Sequence, residues 1–162
     1  MIRLGPLHPH DRDRIAEVLL STAVFSSDEI GVALELFDDA SGDYELIGAF
    51  DANDHLLGYA CFGPTPSTVG TYDLYWLAVD PTSQGQGVGR TLMRHVEAAI
   101  AKRRGRLLVV ETSSRAEYAP TRKFYARSGY AEVARVRDFY APADDRIILT
   151  ARITTREGGV AT

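Results

Sequence analysis

The chain has 162 residues, 45% of them apolar and 25% charged, a mix that fits one soluble domain with a real core. Its net charge of −4 argues against a nucleic-acid partner, which needs a concentrated basic face, and a single cysteine, Cys61, excludes an internal disulfide. No basic segment followed by a long apolar run opens the chain, and no uncharged stretch is long enough to span a bilayer, so no membrane partner is expected and the cytoplasm is the expected location.

Residues 2–4 read as a short strand, and Pro9 and Asp11 open a helix with Ile15, Val18 and Leu19 on one face. Ser26-Ser27-Asp28-Glu29 is a second helix start, with serines to cap and acids at the positive end; Ile30, Ala33, Leu34 and Phe37 form its apolar stripe. Residues 44–50 and 55–62 are strand-like around the turn cluster 51–54, so they predict a hairpin, broken at Gly63-Pro64. Residues 71–79 form an aromatic and β-branched strand. After a loop at 81–89 comes a helix striped by Val88, Leu92, Val96, Ala99 and Ile100, stopped by Lys102-Arg103-Arg104-Gly105. A buried strand at 107–111, a short helix at 120–128 and strands at 130–136 and 146–153 complete the order. This is a mixed α/β pattern with a central sheet and helices on its faces, in one domain over 1–154, with 155–162 expected as a flexible tail. Cys61, in an apolar strand, reads as a buried inert thiol. The four histidines, His8, His10, His55 and His95, have no metal-site spacing, so no metal is expected.

The most informative stretch runs from Leu77-Ala78-Val79 through Pro81 and Gln84-Gly85-Gln86-Gly87-Val88-Gly89 into Arg90 and Thr91. A strand, a glycine-rich turn and an amphipathic helix expose main-chain N–H groups at a positive helix end, a site for phosphate or pyrophosphate. Glycine lets an anion approach and permits positive φ. The spacing fails the dinucleotide fingerprint G-x-G-x-x-G, and no Gly-Lys-Ser/Thr follows for a nucleotide P-loop; a G-x-S-x-G nucleophile elbow is also absent from the sequence.

Gln84-x-x-Gly87-x-Gly89 after such a strand resembles the coenzyme A pyrophosphate motif of the GNAT acetyltransferase superfamily. Phe124-Tyr125-x-x-x-Gly129-Tyr130 resembles a second segment of that family. The resemblance implies a mostly antiparallel sheet, splayed in the middle, of about six or seven strands with about four helices. It implies acetyl-CoA as co-substrate. Gly85 to Arg90 would hold the pyrophosphate, with Gln84, Gln86 and Thr91 beside them. Leu77, Ala78 and Val79 would pair with the pantetheine arm, the amide of Leu77 or Ala78 polarising the thioester carbonyl. Tyr125 would protonate the leaving thiolate. Where many relatives carry an asparagine that contacts pantetheine, this chain has Tyr118, and Thr112, Ser113 and Ser114 are the polar residues at hand to replace it.

An alkyl amine must lose a proton before it attacks. Asp73 occupies the position of a glutamate base in the histone-modifying branch, and Glu111 ends the neighbouring strand; ordered water alone is the third option. Each acid also has a structural reading, Asp73 as a cap and Glu111 as an ion-pair partner of Arg115 or Arg122. The resemblance puts the acceptor between the first two helices, with Phe25, Asp28, Glu29 and Glu35, and the last strands, with Asp138, Phe139 and Tyr140; Tyr75 is the further substrate-facing candidate. The expected activity is transfer of acetyl to a primary amine, on a small molecule. The alternatives are a protein N-acetyltransferase, or a module that binds acyl-CoA without catalysis. A homodimer fits the family resemblance.

Overall fold

In the computed structural model, residues 1–39 and 41–154 are described; the tail expected at 155–162 lies outside them. A seven-stranded sheet runs in the order β1-β2-β3-β4-β5-β7-β6. Its strands are β1 (Arg3–Gly5), β2 (Glu45–Phe50), β3 (Leu56–Pro64), β4 (Thr71–Val79), β5 (Leu107–Ser113), β6 (Ala131–Ala141) and β7 (Asp144–Arg152). The helices are α1 (Arg12–Ser21), α2 (Ser27–Asp38), α3 (Val88–Lys102) and α4 (Ala119–Arg127). Every neighbouring pair is antiparallel except β4 and β5.

Two cores divide the helices between the faces of the sheet. Ile15, Val18 and Leu19 of α1 and Ile30 and Ala33 of α2 pack with Phe50, Leu56, Tyr59, Cys61 and Ala78 on one face. Val88, Leu92, Met93, Val96 and Ile100 of α3 pack with Phe62, Leu74, Leu108, Val110, Tyr125 and Leu149 on the other. Alternation along β4 and β5 assigns the strand residues to the two faces. α2 begins as its sequence expects: the Ser26 hydroxyl accepts from the Glu29 N–H at 3.2 Å, and the Glu29 carboxylate accepts from the Ser26 N–H at 2.6 Å.

Several boundaries differ from expectation. β3 continues through Pro64, which pairs with Tyr72; at the end of a strand its missing N–H breaks no ladder. β5 continues to Ser113 because β7 pairs with it along its whole length. β6 starts at Ala131 and reaches Ala141, where it pairs with Asp144 across the final turn. After α3 the left-handed residue is Arg104, at φ 59°. Gly105 serves a different need, because a Cβ there would lie 2.2 Å from Ile100 Cγ2.

The parallel pairing of β4 with β5 runs only from Thr71↔Leu107 to Leu74↔Val110. Beyond that point β4 stays with β3 and β5 stays with β7, so the sheet splits. The split coincides with a bulge: Cys61 pairs with Trp76 and Phe62 with Leu74, leaving Tyr75 extra on β4. Tyr75 and Trp76 therefore both belong to the α1/α2 face.

Candidate active site

β4 ends at Val79, and Asp80, the next residue, fixes the approach to the glycine loop. One carboxylate oxygen accepts from the Thr82 N–H at 2.9 Å and the Thr82 hydroxyl at 2.7 Å, the other from Arg14 Nη2 at 2.5 Å. Thr82 above all, and then the Arg14 guanidinium, hold this carboxyl below the usual carboxylate range. Asp80 thus ties α1 to the 3-10 turn Pro81–Ser83 that leads into the loop.

Gly85 and Gly87 have φ of 78° and 85°, and a Cβ on either would meet nothing within 4 Å. Their glycines answer to backbone conformation, and the space beside them is open for a ligand. Gly89 answers to packing: a Cβ there would come within 3.3 Å of the Phe124 ring, so α3 and α4 approach each other at this point. The first bond closing α3 is Thr91 N–H to Gly87 carbonyl at 3.0 Å. Among the described residues, the N–H groups from Gly85 to Arg90 have no main-chain acceptor. They form a donor cluster at the positive end of a 15-residue helix, chemistry that fits a pyrophosphate.

This cluster opens into a cleft of about 870 Å³ between α3 and α4. Leu77, Ala78 and Val79 line it from the part of β4 that has lost its β5 partner. Arg90, Arg94 and Arg127 supply positive charge, Tyr125 and Phe124 come from α4, and Val24 and Phe25 from the loop between α1 and α2. Tyr125 is 4% exposed, and burial raises its hydroxyl above the ordinary tyrosine value, so it keeps its proton throughout the neutral range. Among the described residues its hydroxyl makes no hydrogen bond to protein, which leaves it available to a group in the cleft.

Of the residues expected to hold the coenzyme, Leu77, Ala78, Val79, Gln84, Gly85, Gly87, Val88, Gly89 and Arg90 line the cleft. Gln86 and Thr91 do not: the Gln86 amide donates to the Thr82 carbonyl and the Thr91 hydroxyl to the Gly87 carbonyl. Gln84 bends back as well, its Nε2 donating to the Val79 carbonyl at 3.4 Å. Arg94 and Arg127 escaped the sequence reading, although Arg94 stands four residues after Arg90 and so shares its helix face.

The candidate bases sit on the opposite face from Tyr125. Asp73 pairs with Val109 one step before the split, and its carboxylate accepts from the Thr65 hydroxyl at 2.7 Å. Glu111 is the first residue of β5 past the last β4 pair. It is ion-paired with Arg146, and not with Arg115 or Arg122. The reason is register: Arg146 lies opposite Ser113, on the same face of the sheet as Glu111. Arg115 turns to Asp144 and the Val24 carbonyl, and Arg122 to the carbonyls of Ser113 and Arg115. Neither Asp73 nor Glu111 lines the cleft itself.

Around the mouth of the split, groups from several elements converge. Burial first, and then Glu29, push the Tyr118 hydroxyl up to about 12. Tyr140 on β6 is also raised, by partial burial and then by Glu111, with Asp144 and Glu29 contributing. Phe25 packs on Trp76, with 5.0 Å between ring centroids, and faces Tyr118 at 6.3 Å. Tyr75 stands apart, in a second hollow with Asp43, Tyr44, Pro64, Thr65 and Pro66. Of the polar residues proposed to replace the missing asparagine, the Ser113 and Ser114 side chains are engaged with Asp144 and the Asp145 N–H, while the Thr112 hydroxyl is buried without a partner. Cys61 is fully buried on the α1/α2 face, and burial pushes its thiol up to about 12, as an inert core residue requires. Among the described residues no helix is long and apolar enough to cross a membrane.

A family model described as acetyltransferase (GNAT) domain matches residues 43–132, the stretch that carries β2 to α4, the split and the glycine loop. A solved GNAT-family chain from Desulfovibrio desulfuricans is 40% identical, with a TM-score of 0.89 over 95% of this chain and 100% of that one. An aminoglycoside 6'-N-acetyltransferase complexed with coenzyme A shares the fold at 16% identity, with a TM-score of 0.76 over 95% of this chain and 98% of the other. An uncharacterized protein of Mycobacterium leprae is 34% identical over 95 residues; these make up 57% of this chain and 25% of that protein, so the match spans about a quarter of its length. With the domain model matched over residues 43–132, more than half of the chain, and the solved relative alike along its full length, the chain belongs to the GNAT family of acetyltransferases.

Proposed function

We propose that this chain transfers the acetyl group of acetyl-CoA to a primary amine, on a small molecule, by direct attack in a ternary complex. One observation carries the reading: the unpaired edge of β4, the free amides of the glycine loop and the protonated Tyr125 all line one cleft. The loop amides with Arg90, Arg94 and Arg127 suit a pyrophosphate, and the free edge of β4 suits an extended arm added beside it. The solved relative bound to coenzyme A has this fold, which supports the choice of donor.

The acid and the base come from opposite faces of the split. The amine nitrogen attacks the thioester carbon, the carbon–sulfur bond breaks, and the departing sulfur takes a proton from Tyr125. A main-chain amide at Leu77 or Ala78 offsets the charge that develops on the thioester oxygen. The amine gives its proton to Glu111, which stands at the split and is ion-paired with Arg146. Asp73 lies one pair behind the split and is engaged with Thr65, which favours Glu111 over it. The carboxylates of Glu29, Glu111 and Asp144 with the rings of Phe25, Trp76, Tyr118 and Tyr140 favour a cationic acceptor.

The test is a panel of small amines, amino acids and N-terminal peptides incubated with acetyl-CoA and the full chain. Thiol release and the mass of the product are followed. Acetylation at nitrogen of a small amine is expected. Transfer confined to peptides replaces the small-molecule reading, and transfer to oxygen alone contradicts the reaction proposed.

A further inference from the structure

The cleft has a polar end, at the glycine loop and its arginines, and an apolar end where Leu77 and Tyr125 stand with Val24 and Phe25. At the apolar end the Phe25 ring packs against Trp76, the residue before Leu77, and faces Tyr118 in the turn before α4. Three rings from three separate segments therefore meet at tilted and edge-on angles next to Leu77, where the thioester lies on the reading above. The loop that carries Phe25 is fixed by bonds that do not involve its ring. The Val24 carbonyl accepts from Arg115 Nη2 at 3.2 Å and from the Tyr118 hydroxyl at 3.4 Å. Ala23, one residue earlier, is held at φ 58°.

We infer that Phe25 sets the length of the acyl group that this enzyme accepts. The inference rests on the proposed use of acyl-CoA and adds the class of donor: short, unbranched acyl groups, acetyl first. The ring lines the same cleft as Leu77 and Ala78, so a longer chain extending from a thioester held there meets it. A chain that overfills this end must displace a partly buried aromatic ring and give up its packing on two others. Replacing the ring by a methyl group leaves a space walled by Trp76 and Tyr118, while the loop keeps its own hydrogen bonds. Apolar space of that kind favours bound methylenes by about fourfold each.

Calorimetric titration of the full chain with CoA, acetyl-CoA and butyryl-CoA, repeated for Phe25→Ala, tests the inference without need of an acceptor. In the wild type, butyryl-CoA is expected to bind about tenfold more weakly than acetyl-CoA. In Phe25→Ala the order reverses, by about fifteenfold for the two added methylenes, with CoA itself within about threefold of wild type. Phe25→Val, which keeps more of the packing, gives an intermediate ratio, and thermal melting confirms that both variants fold. Equal binding of acetyl- and butyryl-CoA by the wild type overturns the inference, as does a loss shared equally by all three ligands in both variants. Failure of CoA itself to bind the wild type overturns the donor reading beneath it.

Discussion

Asp80→Asn isolates the joint between α1 and the glycine loop. Asparagine keeps an oxygen for the Thr82 N–H and hydroxyl, which lie at 2.9 and 2.7 Å, but carries no charge for Arg14 Nη2 at 2.5 Å. Arg14 retains the Leu56 carbonyl, at 3.1 Å from Nη2, and Glu17, so it is not left wholly without partners. The loss is therefore one charge-assisted bond in a largely buried setting, about 2 kcal/mol. For a chain of this length that lowers Tm by about 4–8 °C. The pH dependence supplies the sharper test. The folded carboxyl lies below its ordinary value, so its contribution is complete above the unfolded carboxylate range, about pH 4, and is lost as pH falls through the folded value. Urea unfolding of wild type and variant across neutral to acid pH should show a gap that is full at neutrality and shrinks below about pH 4. A gap that stays constant down to about pH 3, or none at neutrality, refutes the assignment of charge to this joint.

Tyr125→Phe removes the proposed acid and leaves the ring that packs on Phe124 and Tyr130 in place, so kcat should fall about a hundredfold while CoA affinity is kept. Unchanged kcat would assign Tyr125 to packing. Glu111→Gln should lower kcat/KM by about a hundredfold and Asp73→Asn by less than about tenfold, in steady-state assays with the amine found in the acceptor panel. The reverse order would transfer the base to Asp73. Cys61, buried and with a raised thiol pKa, should resist alkylation by iodoacetamide at neutral pH in the folded chain and react once urea unfolds it.

How far the site could be read from the sequence depended on range. The glycine loop was legible because its chemistry is local: a strand, three glycines and a helix start adjoin in the chain, and Gly85 and Gly87 adopt the positive φ that such a turn demands. Gly89 shows where local reasoning ends, since its need for hydrogen comes from Phe124 on another helix. The partner of Glu111 was illegible for the same reason. Arg115 and Arg122 are nearer in sequence, but the antiparallel register of β5 with β7 brings Arg146 to its face. The loop carrying Val24 and Phe25 is held by Arg115 and Tyr118, which lie 91 and 94 residues away from Val24, and no periodicity encodes that contact. The split itself is a matter of where β4 and β5 stop pairing, which the strand pattern of 71–79 does not mark and only the family resemblance supplied.

The central claim is that the Gly85–Arg90 amides receive the pyrophosphate of acetyl-CoA, and a calorimetric titration of the full chain with acetyl-CoA tests it most directly. Wild type should bind in the range of about micromolar. Gly87→Glu, which puts a carboxylate into the open space beside a left-handed residue, should abolish binding while the chain still melts cooperatively. Equal affinity in a folded Gly87→Glu variant would contradict the account, as would no binding by the folded wild type.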